Sequence, residues 1–265
     1  MQITKIDYQN LIPVYKPVGK TPLECVEQYK QKHPEQSTAV ISYAGRLDPM
    51  AEGVLLLLVG DTNKRRRVYE HFNKEYEVSV LVGFSTDTGD LMGKLVNNNE
   101  QSRISNEVDR LRESLPSFVG PVEQQYPAYS SAKVSGKPLY WWARQNRLHE
   151  VEIPIHTVQI DSIELISEDS ITNEVLLRYI VESIRSVMGD FRQEEIIRDW
   201  TAVLHKNIDQ TALPRFTLRV SCGSGTYIRQ LIADIGRHIN VPLCVFKISR
   251  TKVEEFTRES CELLW

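Results

Sequence analysis

The sequence predicts an α+β fold rather than a regular alternation of strands and crossover helices. Three observations lead there. Val54 to Val59 is an unbroken apolar run closed by Gly60-Asp61, and it reads as a strand buried on both faces. Strand-like alternation recurs at Tyr76–Val82, across much of 151–183 and at Phe216–Cys222. Helical spacing is confined to a few places, the clearest being Ile228, Leu231, Ile232 and Ile235 at i, i+3, i+4 and i+7. Strands interrupted by scattered helices suit an α+β architecture.

Composition sets the limits. A chain of 265 residues with 41% apolar and 25% charged side chains can bury a substantial core. No apolar run approaches the ~18 residues that a membrane helix needs. The opening Met1-Gln-Ile-Thr-Lys-Ile-Asp7 lacks the layout of a secretory signal. Cys25, Cys222, Cys244 and Cys261 are scattered without a Cys-x-x-Cys pair, which argues against a zinc site or a disulfide framework and fits a reducing cytoplasm. With a net charge of -3, nucleic acid would have to be met by a local positive face.

Taken in order, Ile12–Lys16 is a short apolar segment ahead of Pro17 and Gly19. Thr21-Pro22-Leu23-Glu24 has the N-cap, first-turn proline and third-position glutamate of a helix start. Leu23, Val26 and Tyr29 or Lys30 form the expected apolar stripe of that helix, and His33-Pro34 ends it. Then comes Ile41-Ser-Tyr-Ala-Gly-Arg-Leu-Asp-Pro-Met-Ala-Glu-Gly53, in which Pro49 biases Asp48 toward a loop or extended conformation. An acid on a short loop against a rigid strand suits a reactive group, although turns favour Asp for purely local reasons. Lys64, Arg65, Arg66 and Arg67 are either a solvated helix face or a phosphate contact.

Tyr76, Val78, Val80 and Val82 share one strand face, and Phe84–Asp90 is a turn-rich connection. Val108, Leu111 and Leu115 predict a helix over 106–115. Residues 121–148 interleave Tyr126, Tyr129, Tyr140, Trp141 and Trp142 with Lys133, Lys137 and Arg144, a composition suited to looped RNA, where bases stack and phosphates pair. The alternative is a packed helix at 139–148 after a turn at Ser135-Gly136. Alternation in Val151–Val158 and Glu174–Val181 predicts strands, with His156 structural. From Ser186 to about Lys206 the pattern turns helical through Val187, Phe191, Ile197, Trp200 and Leu204, and reads as surface decoration. A strand at Phe216–Cys222, a helix begun by Gly225-Thr226 and a last strand at Leu243–Arg250 complete the chain.

Several of these stretches together resemble the pseudouridine synthases, most closely the TruB type, which modifies uridine 55 in the T loop of tRNA. The resemblance rests on Lys16-Pro-Val-Gly-Lys-Thr21, the Leu47-Asp48-Pro49 block with Gly53-Val-Leu, Lys74-Glu-Tyr76, Thr86-Asp-Thr88, Pro127-Ala-Tyr-Ser with Lys133, Gly136 and Leu139-Tyr140, and Gly225-Thr-Tyr-Ile-Arg229. It runs from Lys16 to Phe256, in the family's order. Tyr43 stands where the family usually has His, and Arg46-Leu47-Asp48 is similar to the ribosomal-RNA branch.

The resemblance implies the pseudouridine synthase fold, with a mixed, largely antiparallel central sheet flanked by helices. It implies a single catalytic domain over 1–265, with an RNA-contacting insertion at about 121–148 and a helical insertion at about 186–206. It further implies cleavage of the uracil–ribose bond, rotation of the base and rejoining through carbon, with no cofactor and no metal. Asp48 would be the nucleophile, Arg229 its partner, and Tyr76 the residue stacked on the base. Tyr43, Leu47 and Ile248 would line the pocket, while Lys16, Lys64, Arg65, Tyr129, Lys133 and Arg144 would contact RNA. The chain ends at Trp265, so the family's common C-terminal PUA domain is expected to be missing. Other outcomes left open are a synthase acting on ribosomal RNA, an RNA-binding or RNA-folding protein on the same fold, and a glycoside hydrolase using Asp48 and Glu52 as paired acids.

Overall fold

The computed structural model describes residue 8 and residues 10–98, 107–206 and 212–265. The segment Met1–Asp7 and residue Asn106 at the start of the expected third helix lie outside them. The chain runs through β1 (Leu11–Lys16), α1 (Pro22–Lys32), β2 (Ile41–Ala44), β3 (Ala51–Val59), α2 (Arg66–Glu70), β4 (Lys74–Val82) and the short β5 (Phe84–Thr86) and β6 (Leu95–Asn98). It continues through α3 (Glu107–Ser114), β7 (Gly120–Gln125), the hairpin β8 (Lys133–Val134) and β9 (Lys137–Pro138), and α4 (Leu139–Arg144). Then come β10 (Ile155–Ile171), α5 (Asn173–Ser186), α6 (Gln193–Lys206), β11 (Leu213–Cys222), α7 (Ile228–Ile239), β12 (Leu243–Val253), β13 (Phe256–Thr257) and β14 (Glu262–Leu263).

One sheet in the order β14-β1-β3-β12-β4-β11-β10-β7 forms the frame, with β2 on β3 and β13 on β12. The β1–β14 and β3–β12 pairs are parallel, and the other pairs along that order are antiparallel. This is the mixed, largely antiparallel α+β sheet that the resemblance implied. All nine residues of β3 are buried, so the apolar run does cross the middle of the molecule. Its side chains alternate between two cores: Leu55, Leu57 and Val59 belong to the one that also takes in residues of α1, α3 and α7, while Val54, Leu56 and Leu58 belong to another with Tyr69 and Phe72. Burying each such leucine contributes roughly 1.5–3 kcal/mol.

The first helix starts as the sequence predicts. The Thr21 side chain accepts from the Glu24 amide, and the Glu24 carboxylate accepts from the Thr21 amide at 2.8 Å. Its buried stripe is Cys25, Val26 and Tyr29, however, and Leu23 points to solvent. Two larger corrections concern 173–206. Glu174–Val181 is not a strand but part of α5. Thr172 caps it by accepting from the Val175 amide, and Leu176, Ile180 and Ile184 are fully buried at a helical spacing of four. The segment at 193–206 is not decoration either. Ile196, Trp200 and Leu204 of α6 seal with α5 over Leu81, Phe84, Cys244 and Phe246, closing the second sheet face. The connection 187–192 between the helices is not helical.

Candidate active site

Asp48 lies in the loop 45–50 between β2 and β3, and two buried cations hold that loop from behind. Lys16, at the end of β1, is completely buried. Its Nζ donates to the carbonyls of Ala51 at 2.6 Å, Pro17 at 3.0 Å and Pro49 at 3.3 Å. Burial pushes its pKa down to about 8. This corrects the expectation that Lys16 meets RNA, because its donors are already spent on the backbone around Asp48. Arg250 of β12 is also buried; its Nε donates to Val54 at 2.7 Å and its Nη2 to Gly45 at 3.0 Å. Gly53 makes this corner possible. It has φ +111°, and a Cβ there would fall 2.2 Å from the Arg250 carbonyl oxygen.

Arg229, on the first turn of α7, is a third buried cation at this carboxylate. Its Nε and Nη2 both lie 2.8 Å from Asp48 Oδ2, and its Nη1 donates to the Thr88 carbonyl at 2.6 Å. Asp90 stands 3.6 Å from the same guanidinium. It is buried, and its Oδ1 accepts from Thr88 Oγ1 at 2.6 Å and from the Met92 amide at 3.0 Å. Desolvation raises the Asp90 pKa against the pull of Arg229. For Arg229, burial works against the charge, but Asp48 and then Asp90 more than offset it and raise its pKa. The Asp48 side chain is 37% exposed and that of Arg229 only 7%. The result is a carboxylate held by a buried guanidinium and still partly open to solvent.

Gln124 fixes the start of α7. Fully buried on β7, it accepts from the Tyr227 amide at 2.8 Å and donates to the Tyr227 carbonyl at 3.1 Å, two residues before Arg229. His156 supports the same turn: its ring stacks on Tyr126 at 4.1 Å and its Nε2 lies 3.1 Å from the Gly225 carbonyl. The structural reading of His156 therefore describes it well.

Tyr76, Leu47 and Ile248 belong to one buried cluster with Ala51. Ile248 pairs with Ala51 across one strand boundary and with Val78 across the other, and Tyr76 pairs with Arg250. Burial raises the Tyr76 pKa, although Arg250 pulls the other way. Its hydroxyl is therefore protonated at neutral pH. Tyr43 on β2 is half-buried beneath the Arg66 guanidinium, 5.6 Å from the ring centre.

The remaining expected RNA contacts are spread out. Lys64 is exposed and pairs with Asp61 at 2.7 Å, Arg65 is half-buried and Lys133 is exposed. Arg144 is exposed and donates to Asp190, while Tyr129 donates to Asp87 at 3.1 Å. Trp142 is buried and donates its Nε1 to the Val134 carbonyl at 3.1 Å, so it packs α4 onto the hairpin instead of offering a stacking surface. Ser135 and Gly136 both have positive φ, as a two-residue hairpin requires.

Among the described residues no group of three or more His, Cys, Asp or Glu side chains is placed to hold a metal, and no helix is long and apolar enough to cross a membrane. Reading by sequence alone missed Asp90, Gln124 and Arg250 as parts of the site. Arg250 stands among Lys247, Ser249, Thr251 and Lys252 in β12, so no local pattern set it apart.

The family described as TruB family pseudouridylate synthase (N terminal domain) matches residues 34–183. The chain is 32% identical over 258 residues to the tRNA pseudouridine synthase B of Halalkalibacterium halodurans, covering 97% of this chain and 70% of that one. It belongs to the TruB family. A second relative with the same name, from Syntrophus aciditrophicus, is 32% identical over 247 residues, but the chain spans only 62% of that protein's length. The TruB-like fold also appears in a Cbf5-Nop10-Gar1 complex, with TM-score 0.56 at 18% identity over 96% of this chain and 52% of that one. An H/ACA ribonucleoprotein bound to a substrate RNA gives TM-score 0.53 at 17% identity, over 96% and 50% of the respective chains.

Proposed function

We propose that this chain isomerises uridine to pseudouridine in RNA, and that its target is uridine 55 in the T loop of tRNA. The observation that carries this reading is the Asp48–Arg229 pair: a half-open carboxylate held at 2.8 Å by a buried guanidinium, in a chain of the TruB family. In this scheme the flipped uridine enters beside Tyr76, Leu47 and Ile248. Leaving the stack costs a few kcal/mol, and less in a loop than in a duplex. Asp48 acts as the nucleophile that forms or stabilises a covalent intermediate. The bond from ribose C1′ to N1 breaks, the uracil turns, and C1′ joins C5. The C5 proton leaves and N1 takes one up, so the atoms balance with no cofactor.

Arg229 holds Asp48 in place, with two nitrogens 2.8 Å from its Oδ2. Tyr76 stacks on the base and, being protonated, can hand on a proton. Lys64, Arg65, Lys133 and Arg144 would meet phosphates, and Tyr129 would lie near the bases. The protein would work in the cytoplasm, where such RNA is processed. The test is to incubate the protein with a full-length tRNA transcript and map pseudouridine by carbodiimide modification and reverse transcription. A single stop at position 55 is expected. A stop elsewhere, or on ribosomal RNA only, would overturn the target, and no stop on any RNA would overturn the activity.

A further inference from the structure

The connection between α5 and α6 reaches back to the site. Arg192, the residue before α6, has a left-handed backbone with φ +64°, uncommon for a long side chain. In that conformation its guanidinium holds Asp87 with two nitrogens, at 2.7 and 3.3 Å, and lies 4.6 Å above the Tyr129 ring. The Tyr129 hydroxyl donates to the same carboxylate. The Arg192 amide donates to Asp190 Oδ1 at 3.3 Å, and Asp190 Oδ2 takes Arg144. Gln193 ties the turn together by donating to the carbonyls of Val187 and Gly189 and accepting from the Phe191 amide.

Asp87 is the junction. Its Oδ1 accepts from the Lys94 amide at 2.8 Å, and one residue on, the Thr88 carbonyl receives Arg229. Unbroken contacts therefore run from Arg192 through Asp87 and Thr88 to Arg229 and Asp48. An exposed ion pair would carry little weight. This one is forked, stacked on a ring, and only 21% and 25% exposed at its two side chains. Lysine can supply neither the fork nor the planar stack.

We propose that the α5–α6 connection is a latch for the site: Arg192 is a positioning residue that fixes the Thr86–Asp90 loop, and through it Arg229, while holding Tyr129 in place. The proposal rests on the reading that Asp48 and Arg229 act on RNA. It gives 187–192 a task in that reaction, beyond the core packing of the helices on either side.

The test uses Arg192→Gly, which removes the side chain and also relieves the left-handed backbone, so backbone strain cannot account for a loss. Hydrogen exchange of the Asp87, Gly89 and Gly93 amides is expected to quicken at least tenfold, with α6 protection unchanged. The rate of pseudouridine formation should fall at least tenfold at saturating RNA, and Arg192→Lys should recover part of it. Unchanged exchange in the loop, or faster exchange with unchanged kcat and KM, overturns the latch. Wild-type protein inactive on every RNA overturns the functional reading alone if exchange still quickens in Arg192→Gly, and both proposals if it does not.

Discussion

Behind Asp48, Lys16, Arg229 and Arg250 are buried, and each aims its N–H groups at backbone carbonyls or a carboxylate. On the candidate RNA face, Lys64, Arg66 and Arg144 are exposed and pair with Asp61, Glu70 and Asp190. The two sets share a charge and nothing else. A buried cation whose donors are all used fixes geometry, and removing it strands acceptors that water cannot reach. An exposed pair contributes roughly 0–1 kcal/mol and can exchange its acid for a phosphate. In the proposed reaction the first set would position Asp48, and the second would bind and release RNA.

Breaking the buried set should have the largest effects. Arg229→Ala leaves Asp90 a buried acid without its cation. We expect a stability loss of about 3–5 kcal/mol by urea unfolding, with no measurable isomerisation. Arg250→Met strands the Gly45 and Val54 carbonyls on either side of the loop. A loss of about 2–4 kcal/mol is expected, together with a lower kcat. If either variant unfolds like wild type, these cations are not what holds the loop.

Lys16 sharpens the comparison through pH. Its pKa is lowered in the folded protein, from 10.5 to about 8, so the unfolded chain binds more protons between those values. Stability from this group therefore rises with pH across that window. The wild-type stability minus that of Lys16→Met should grow by up to about 1.4 kcal/mol per pH unit from pH 8 to 10.5. A flat difference would mean that the lysine is not buried as described.

The exposed set should give the smallest effect on folding. Arg144→Ala is expected to change stability by no more than about 0.5 kcal/mol. It should weaken RNA binding and reduce the slope of log affinity against log salt by about 0.7–0.9. Unchanged binding and slope would remove Arg144 from the RNA face.

The same contrast explains what could be read from the sequence. The loop around Asp48, the buried strand after it and the α7 stripe were legible because apolar runs, glycines and a helical repeat are local signals. The approach of Arg229 to Asp48 came only from the resemblance, since nothing in spacing links residues so far apart. Lys16 was misread because lysines are almost always exposed, and only the folded chain shows three carbonyls converging on its Nζ. The α5 segment was misread because Val175-Leu-Leu-Arg-Tyr-Ile-Val181 satisfies both a period of two and a period near four. The choice lay in the Thr172 cap and in burial against α6, and the burial is a tertiary fact.

The most direct test of the account is tritium release from C5-labelled uridine in a tRNA transcript, with wild type beside Asp48→Asn. The account predicts release by wild type and none by Asp48→Asn, with RNA binding retained in both. Equal release by the two proteins would remove Asp48 from the chemistry, and no release by wild type from any RNA would contradict the account as a whole.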